Sequence, residues 1–246
     1  LKIITYNIHS CIHMDGRIDP DRTADVIAAL DPDIAMLQEV DVNRRRTQFM
    51  HQADYLANRL GLACRFFPVL KNGGERYGLA ILSRFPFVTL KCIRFPHERK
   101  RWSTESRGAM LAALDTPLGL IRMVNTHLGL RRYERRRQVS AILGNEWVQQ
   151  PLQANTPLIM CGDFNAGAQS VVYKKLAAHV SDVQMMTTQK GYPKATFFSR
   201  WPILRLDHIF ISKHFRPSLV RVPNDHETRL VSDHLPLYCE LVAAAQ

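Results

Sequence analysis

The fold class this sequence predicts is α/β of the α+β kind: two mainly antiparallel sheets packed face to face, with helices on the outer faces. Three observations carry that reading. Strand-like segments outnumber helical ones, the middle of the chain runs strand to strand through hairpin-like connections, and a β-α-β pattern is confined to the opening. A parallel doubly wound sheet would instead alternate strand and helix throughout. No Pro/Gly/Ser linker or shift in composition divides the 246 residues, so residues 1–246 are expected to form one domain.

Lys2–Ile8 alternates into a strand that ends at Asn7-Ile8-His9. Asp19-Pro20 opens a helix, with Asp as N-cap and Pro at the first helical position, and Thr23, Val26, Ile27 and Leu30 form its apolar stripe. Asp31-Pro32 stops it before the short strand Ile34–Leu37, which ends at Gln38-Glu39. A second helix covers Gln52–Leu60, with Gly61 as its stop. Cys64–Leu70 and Tyr77–Ser83 are strands joined across Asn72-Gly73, a strong hairpin signal. Phe87–Phe95 and Ala109–Asp115 are also strand-like and flank a polar loop containing Arg99-Lys100-Arg101-Trp102. Leu120–Asn125 follows and ends at Asn125-Thr126-His127. Arg131–Gln150 reads as one helix, with Val139, Ile142, Leu143, Glu146 and Trp147 at helical spacing. Its first turns hold Arg131, Arg132, Arg135, Arg136 and Arg137, charges that oppose the helix dipole and so favour a role facing an anion. Leu158–Cys161 is a strand, Ser170–Ala178 a short helix, and Val183–Arg205 an irregular stretch of the kind that is often functional. Strands at Leu206–Ser212, Leu219–Val222 and Leu235–Val242 close the chain.

Composition bounds the function without choosing it. No apolar run approaches the length of a membrane span. The five cysteines are odd in number and lack CxxC spacing, which argues for a reduced compartment and against structural zinc. No signal peptide is visible, although the chain opens at Leu1 rather than Met, and a cytoplasmic location is expected, peripheral to a membrane if the substrate is a lipid. The net charge of +11 favours an anionic partner: nucleic acid, anionic lipid or a phosphorylated metabolite. No obligate protein partner is evident.

The strand ends carry the chemistry. In Gly162-Asp163-Phe164-Asn165, the period of two points Asp163 and Asn165 the same way at a sheet's mouth. Asn7, Glu39, His127, Asp207, Asp233 and His234 punctuate other strand ends. Taken alone, each has a plainer reading as a turn cap, a surface acid or a satisfied core histidine. Together they supply carboxylates for a hard cation, amides for phosphoryl oxygens and histidines for proton transfer, the groups that hydrolysis of a phosphate ester needs.

With Thr5–Ile8, Leu37–Val40, Tyr77–Ser83, Asn125–Leu128, Gly162–Asn165, Leu206–Phe210 and Ser232–Pro236 in this order, the chain resembles the endonuclease/exonuclease/phosphatase superfamily, the deoxyribonuclease-I-like fold. The resemblance runs from the first strand to the last and implies a four-layer α/β/β/α sandwich. It also implies roles. Glu39 is the principal ligand of Mg²⁺ or Mn²⁺, with Asn7 beside it and Asp233 in support. Asp163 and Asn165 position the attacking water and the phosphate. His234 contacts the phosphate or draws a proton from that water, oriented by Asp207, and His127 protonates the leaving group. Glu75 occupies the place of the acid that pairs with this histidine, and Arg107 that of a phosphate contact. A carboxylate beside each histidine is expected to raise its pKa.

Departures from family patterns narrow the substrate. The Tyr-centred motif of abasic-site endonucleases is Asn125-Thr126-His127 here, and Ala166-Gly167 do not continue the inositol-polyphosphate 5-phosphatase signature. The chain looks most like uncharacterised bacterial members of the His-containing branch. A phospholipid head group or small phosphate ester is the expected substrate, with Trp102 and Trp201 docking an anionic membrane surface. An endonuclease or exonuclease acting on DNA or RNA is the alternative, although no loop shows a recognisable base-reading element.

Overall fold

The computed structural model describes residues 1–96 and 105–244; the Arg99–Trp102 cluster lies outside the described residues. The elements run β1 (Lys2–Asn7), α1 (Pro20–Ala28), β2 (Ile34–Val42), α2 (Gln52–Leu60), β3 (Ala63–Asn72), β4 (Glu75–Ser83), β5 (Phe87–Arg94), β6 (Gly108–Thr116) and β7 (Gly119–His127). They continue with α3 (Arg132–Ile142), α4 (Gln150–Gln153), β8 (Leu158–Asp163), α5 (Val171–Ala177), β9 (Ser181–Asp182), α6 (Val183–Met186), β10 (Asp207–Ile211), β11 (Phe215–Arg221), α7 (His226–Val231) and β12 (Leu237–Ala243). One sheet has the order β11-β12-β1-β2-β4-β3 and the other β5-β6-β7-β8-β10-β9. Within the sheets β1/β2 and β7/β8 pair in parallel and the remaining neighbours antiparallel.

Alternation builds four layers. Ile3, Ile34, Met36, Met123, Ile159, Cys161 and Ile209 bury between the sheets. Ile4, Tyr6, Ala35 and Leu37 face the other way, with Ala24 and Ile27 of α1 and Ala53 and Leu56 of α2. Val124, Met160 and Phe210 pack with Val139 and Ile142 of α3 and Val172 and Leu176 of α5. Each large apolar side chain taken fully out of water contributes about 1.5–3 kcal/mol. The expected sandwich is therefore present.

The helix signals at the N-terminal half act as read. The Asp19 side chain accepts from the Arg22 amide at 2.9 Å with Pro20 opening α1, and Gly61 ends α2 at φ +66°. Downstream, the expected single helix over 131–150 is broken. Helix α3 ends at Ile142, Gly144 follows, a wide turn spans Asn145–Gln149, and α4 starts at Gln150. Glycine weakens a helix interior, and Pro151 has no N–H to give the preceding turn. Strand β2 runs on to Val42, beyond the expected Leu37. The irregular stretch 183–205 opens with the short helix α6, and α7 joins the elements with a capping box, Asp225 accepting from the Thr228 amide at 3.0 Å.

The buried Asn125 side chain joins the two sheets in the interior. The Asn125 amide of β7 donates to the carbonyls of Leu37 at 3.0 Å and Ala80 at 2.9 Å, and its oxygen accepts from Gln38 Nε2 at 2.8 Å.

Candidate active site

The inner faces of both sheets lead to one mouth. Along β1 the inward positions are Ile3, Thr5 and Asn7; along β7 Met123, Asn125 and His127; along β8 Ile159, Cys161 and Asp163; along β10 Ile211, Ile209 and Asp207. The last member of each series is polar, so the alternation that fills the core also delivers the site. His127 lies opposite Asp163, and Asp163 opposite Asp207, in the strand registers.

Glu39 is the exception. With Gln38 facing inward, a regular strand would aim Glu39 at the helices. The β2–β4 register instead shifts between Leu37 and Val40, and Glu39 adopts the left-handed φ of +58°. A bulge re-aims a side chain in this way. The Glu39 carboxylate then accepts from Asn7 Nδ2 at 3.0 Å, and the same amide donates to Asp163 Oδ2 at 3.2 Å. Asn7 thus bridges an acid from each sheet.

Asp163 is buried. Its Oδ1 accepts from the Asn165 amide at 2.8 Å in a tight turn that holds Asn165 at φ +47°, and Asn165 Nδ2 donates to the Leu128 carbonyl at 2.9 Å. His234 places Nδ1 2.8 Å from Asp207 Oδ2 and Nε2 3.5 Å from Asp163 Oδ2. His127 Nε2 lies 3.3 Å from the same Asp163 oxygen and 3.2 Å from Asn165 Nδ2. Asp233 is half-buried; its carbonyl accepts from the Ser199 amide at 2.8 Å, and its neighbour Ser232 donates to the Asn7 carbonyl at 2.7 Å.

Glu75 is elsewhere. It opens β4, where its carboxylate accepts from the Arg45 amide at 2.9 Å and lies 3.7 Å from Arg44 Nε. Arg107 takes the expected place at His127 Nδ1, 3.3 Å away, and also donates to Tyr77 Oη at 3.2 Å and pairs with Glu105 at 3.1 Å. The β-strand register explains this: Gly108 pairs with His127, so residue 107 falls beside the histidine.

The two histidines consequently differ in charge. Burial alone would depress His234, but Asp207 and Asp163 overcome it and push it up to about 10. Burial lowers His127 well below the usual imidazole range, and Arg107 and His234 lower it further. The expectation of a raised pKa at both therefore fails at His127, whose Nδ1 faces a guanidinium instead of a carboxylate. Burial raises Asp163 to about 6 against the pull of His234. Arg107 donates to Nδ1 of the neutral His127 ring, so its proton sits on Nε2, the ring nitrogen with an acceptor in reach.

These shifts fix a stability trend in the presence of a chelator. His234, raised in the folded state, stabilises the fold fully below about pH 6.5, and that contribution is lost as pH rises towards 10. Asp163, raised from 3.8, loses its smaller contribution by about pH 6. The melting temperature should fall between about pH 7 and 9.5, and His234→Gln should flatten that slope. Thermal melts of both proteins across this range in EDTA check it.

The donor set suits a hard divalent ion. Ligand-capable atoms of Asp163, Asp207 and His234 lie within 4.8 Å of one another, the Glu39 carboxylate and Asn7 amide stand beside them, and Asp207 Oδ1 is buried without a hydrogen-bond partner. Sequence reasoning missed two supports. Thr196 Oγ1 donates to Asp207 Oδ2 at 2.6 Å, and the Phe197 ring packs 4.9 Å from the His234 ring. Their loop is held beside the site by tertiary contacts, Phe197 pairing with Leu204 and His234 and the Leu235 amide donating to the Thr196 carbonyl at 2.7 Å, so no local pattern marks them.

A family model described as "Endonuclease/Exonuclease/phosphatase family" matches residues 4–234. The uncharacterised protein YbhP of Escherichia coli K12 is 27% identical over 98% of this chain and 95% of its own length. Among solved structures, an endonuclease/exonuclease/phosphatase from Beutenbergia cavernae superposes with TM-score 0.82 at 22% identity, covering 99% of this chain and 71% of that one. The human Nocturnin catalytic domain, solved with a bound sulfate anion, gives 0.75 at 24% identity, covering 99% and 94%.

Proposed function

Because the chain belongs to the endonuclease/exonuclease/phosphatase family, and is thereby a metal-dependent phosphoric ester hydrolase, we propose that its substrate is the phosphodiester backbone of DNA or RNA. This reverses the order of substrates expected from the sequence. The observation that carries it is that arginines follow, in each sheet, a strand that delivers a residue to the mouth. Arg44 and Arg45 follow β2 in one sheet, and Arg131, Arg132, Arg135, Arg136 and Arg137 begin four residues after His127 in the other. Basic segments that follow strands leading to a recessed acidic site can straddle a phosphate backbone. The sulfate held by the Nocturnin domain is a tetrahedral anion of the same shape.

Mg²⁺ or Mn²⁺, held by Glu39 with Asn7, Asp163, Asp207 and Asp233 around it, would neutralise charge developing on the phosphoryl oxygens. The chain's own groups supply the rest. Asp163, with a pKa of about 6, takes the proton of the attacking water, which Asn165 helps to place. His234, held as a cation by Asp207, contacts a phosphoryl oxygen. His127, a neutral ring fixed by Arg107, stabilises the leaving oxygen with a hydrogen bond from its Nε2–H, and the leaving group takes its proton from solvent.

Plasmid DNA, RNA, sphingomyelin, lysophospholipid and bis-p-nitrophenyl phosphate, assayed with chelator and with Mg²⁺ or Mn²⁺ restored, separate the substrate classes. Nucleic acid should be cut, and with about six phosphate contacts its affinity should fall roughly 10³-fold between ~50 and ~200 mM salt. Turnover of lipid with nucleic acid untouched would overturn the proposal. A phospholipid head group is the second reading, favoured by the exposed Trp201 and Ile203 (73% and 80%) on the loop that supports His234.

A further inference from the structure

We infer that Ser10, Asp41, Arg46 and Gln52 form a closed hydrogen-bonded ring that positions Glu39 for the cation; the inference rests on the metal-dependent reading above. Arg46 grips the Asp41 carboxylate with two donors, at 2.7 and 3.0 Å, and its second guanidinium nitrogen also donates to Ser10 Oγ at 2.9 Å. Gln52 Nε2 donates to the Ser10 carbonyl, and Gln52 Oε1 accepts from the Asp41 amide at 2.9 Å, which closes the circuit. Ser10 then turns its hydroxyl proton onto the Glu39 carbonyl at 3.1 Å.

The ring surrounds backbone that would not hold this shape by itself. Glu39 has φ +58°, and His9, Ser10 and Cys11 have φ of +47°, +54° and +53°. Residues with a side chain visit this region at a cost, and it persists only where the surroundings over-determine it. Here the surroundings are buried: Ser10, Asp41 and Gln52 are at most 1% exposed. A buried carboxylate such as Asp41 is expensive unless it is paired and hydrogen-bonded, and Arg46, Arg44 and Thr47 Oγ1 all serve it. None of the four ring members reaches the mouth through a catalytic atom. Their shared product is the direction of one side chain, because the left-handed turn at Glu39 is what swings its carboxylate to Asn7. They are positioning residues.

The prediction is a split between metal affinity and turnover. Ser10→Ala and Asp41→Asn should each weaken Mn²⁺ binding about tenfold, within the range seen when groups behind a metal ligand are removed. Turnover at saturating metal should fall far less. Because the residues are links in one circuit, the double variant should bind little worse than either single one. Isothermal titration of the full chain with Mn²⁺ measures this without reference to activity. Ser10→Ala removes one oxygen and keeps the test available if Asp41→Asn does not fold. A wild type that takes up no Mn²⁺ removes the parent reading and this inference with it. Wild-type binding with unchanged affinity in Ser10→Ala overturns this inference alone.

Discussion

Asp163→Ala should fold and be inactive, with turnover lowered about 10²–10⁴-fold, the range for a group that moves a proton in the transition state. The reasoning is geometric. One carboxylate receives Asn7 Nδ2 at 3.2 Å, faces His127 Nε2 at 3.3 Å and His234 Nε2 at 3.5 Å, and holds the Asn165 amide at 2.8 Å. Among the described residues, no other side chain touches both sheets' contributions and both histidines. Its loss should not unfold the protein, because burial raises its pKa and the folded state already gains little from its charge. Circular dichroism and a melting curve establish the fold, and single-turnover cleavage of the preferred ester measures the loss. A variant that melts like the wild type and turns over at the wild-type rate would remove Asp163 from the mechanism.

Gly162→Ala, one residue earlier, should do the opposite and damage the fold itself. Gly162 has φ +151°, and an added Cβ would lie 2.0 Å from the Thr126 carbonyl oxygen, its partner across the parallel β7/β8 pair. That atom is backbone and cannot rotate away. Overpacking and backbone strain each cost about 1–3 kcal/mol, against a total stability of about 5–15 kcal/mol. Denaturant unfolding should show the midpoint moving down by a large part of its wild-type value. Equal stability of variant and wild type would mean that the two strands separate more easily than their register suggests.

Much of this arrangement was readable in the chain because it follows from local rules. The capped start of α1, the Gly61 stop of α2 and the alternation of β1, β7 and β8 are decided within a few residues, and the polar strand ends simply continue that alternation. Where the sequence misled, a distant partner decided. Gly144 and Pro151 broke a helix whose apolar spacing looked continuous. Glu75 lost its expected histidine because Arg44 and Arg45 capture it on the hairpin and Arg107 arrives by strand register. Glu39 has outward parity in a regular strand, and only the bulge shows how it reaches the site. Thr196 and Phe197 carry no motif of their own, since their value comes from what Asp207 and His234 bring beside them.

The Asn125 side chain has a consequence beyond its three hydrogen bonds. Greasy layers stick without direction, so two slabs in contact have little reason to prefer one lateral offset to another. Asn7 and Glu39 ride on one slab, while His127, Asp163 and Asp207 ride on the other. Asn125 works as a dowel driven through both, meeting Leu37, Gln38 and Ala80 on the far side, and the alignment of the reacting groups is thereby set deep in the interior.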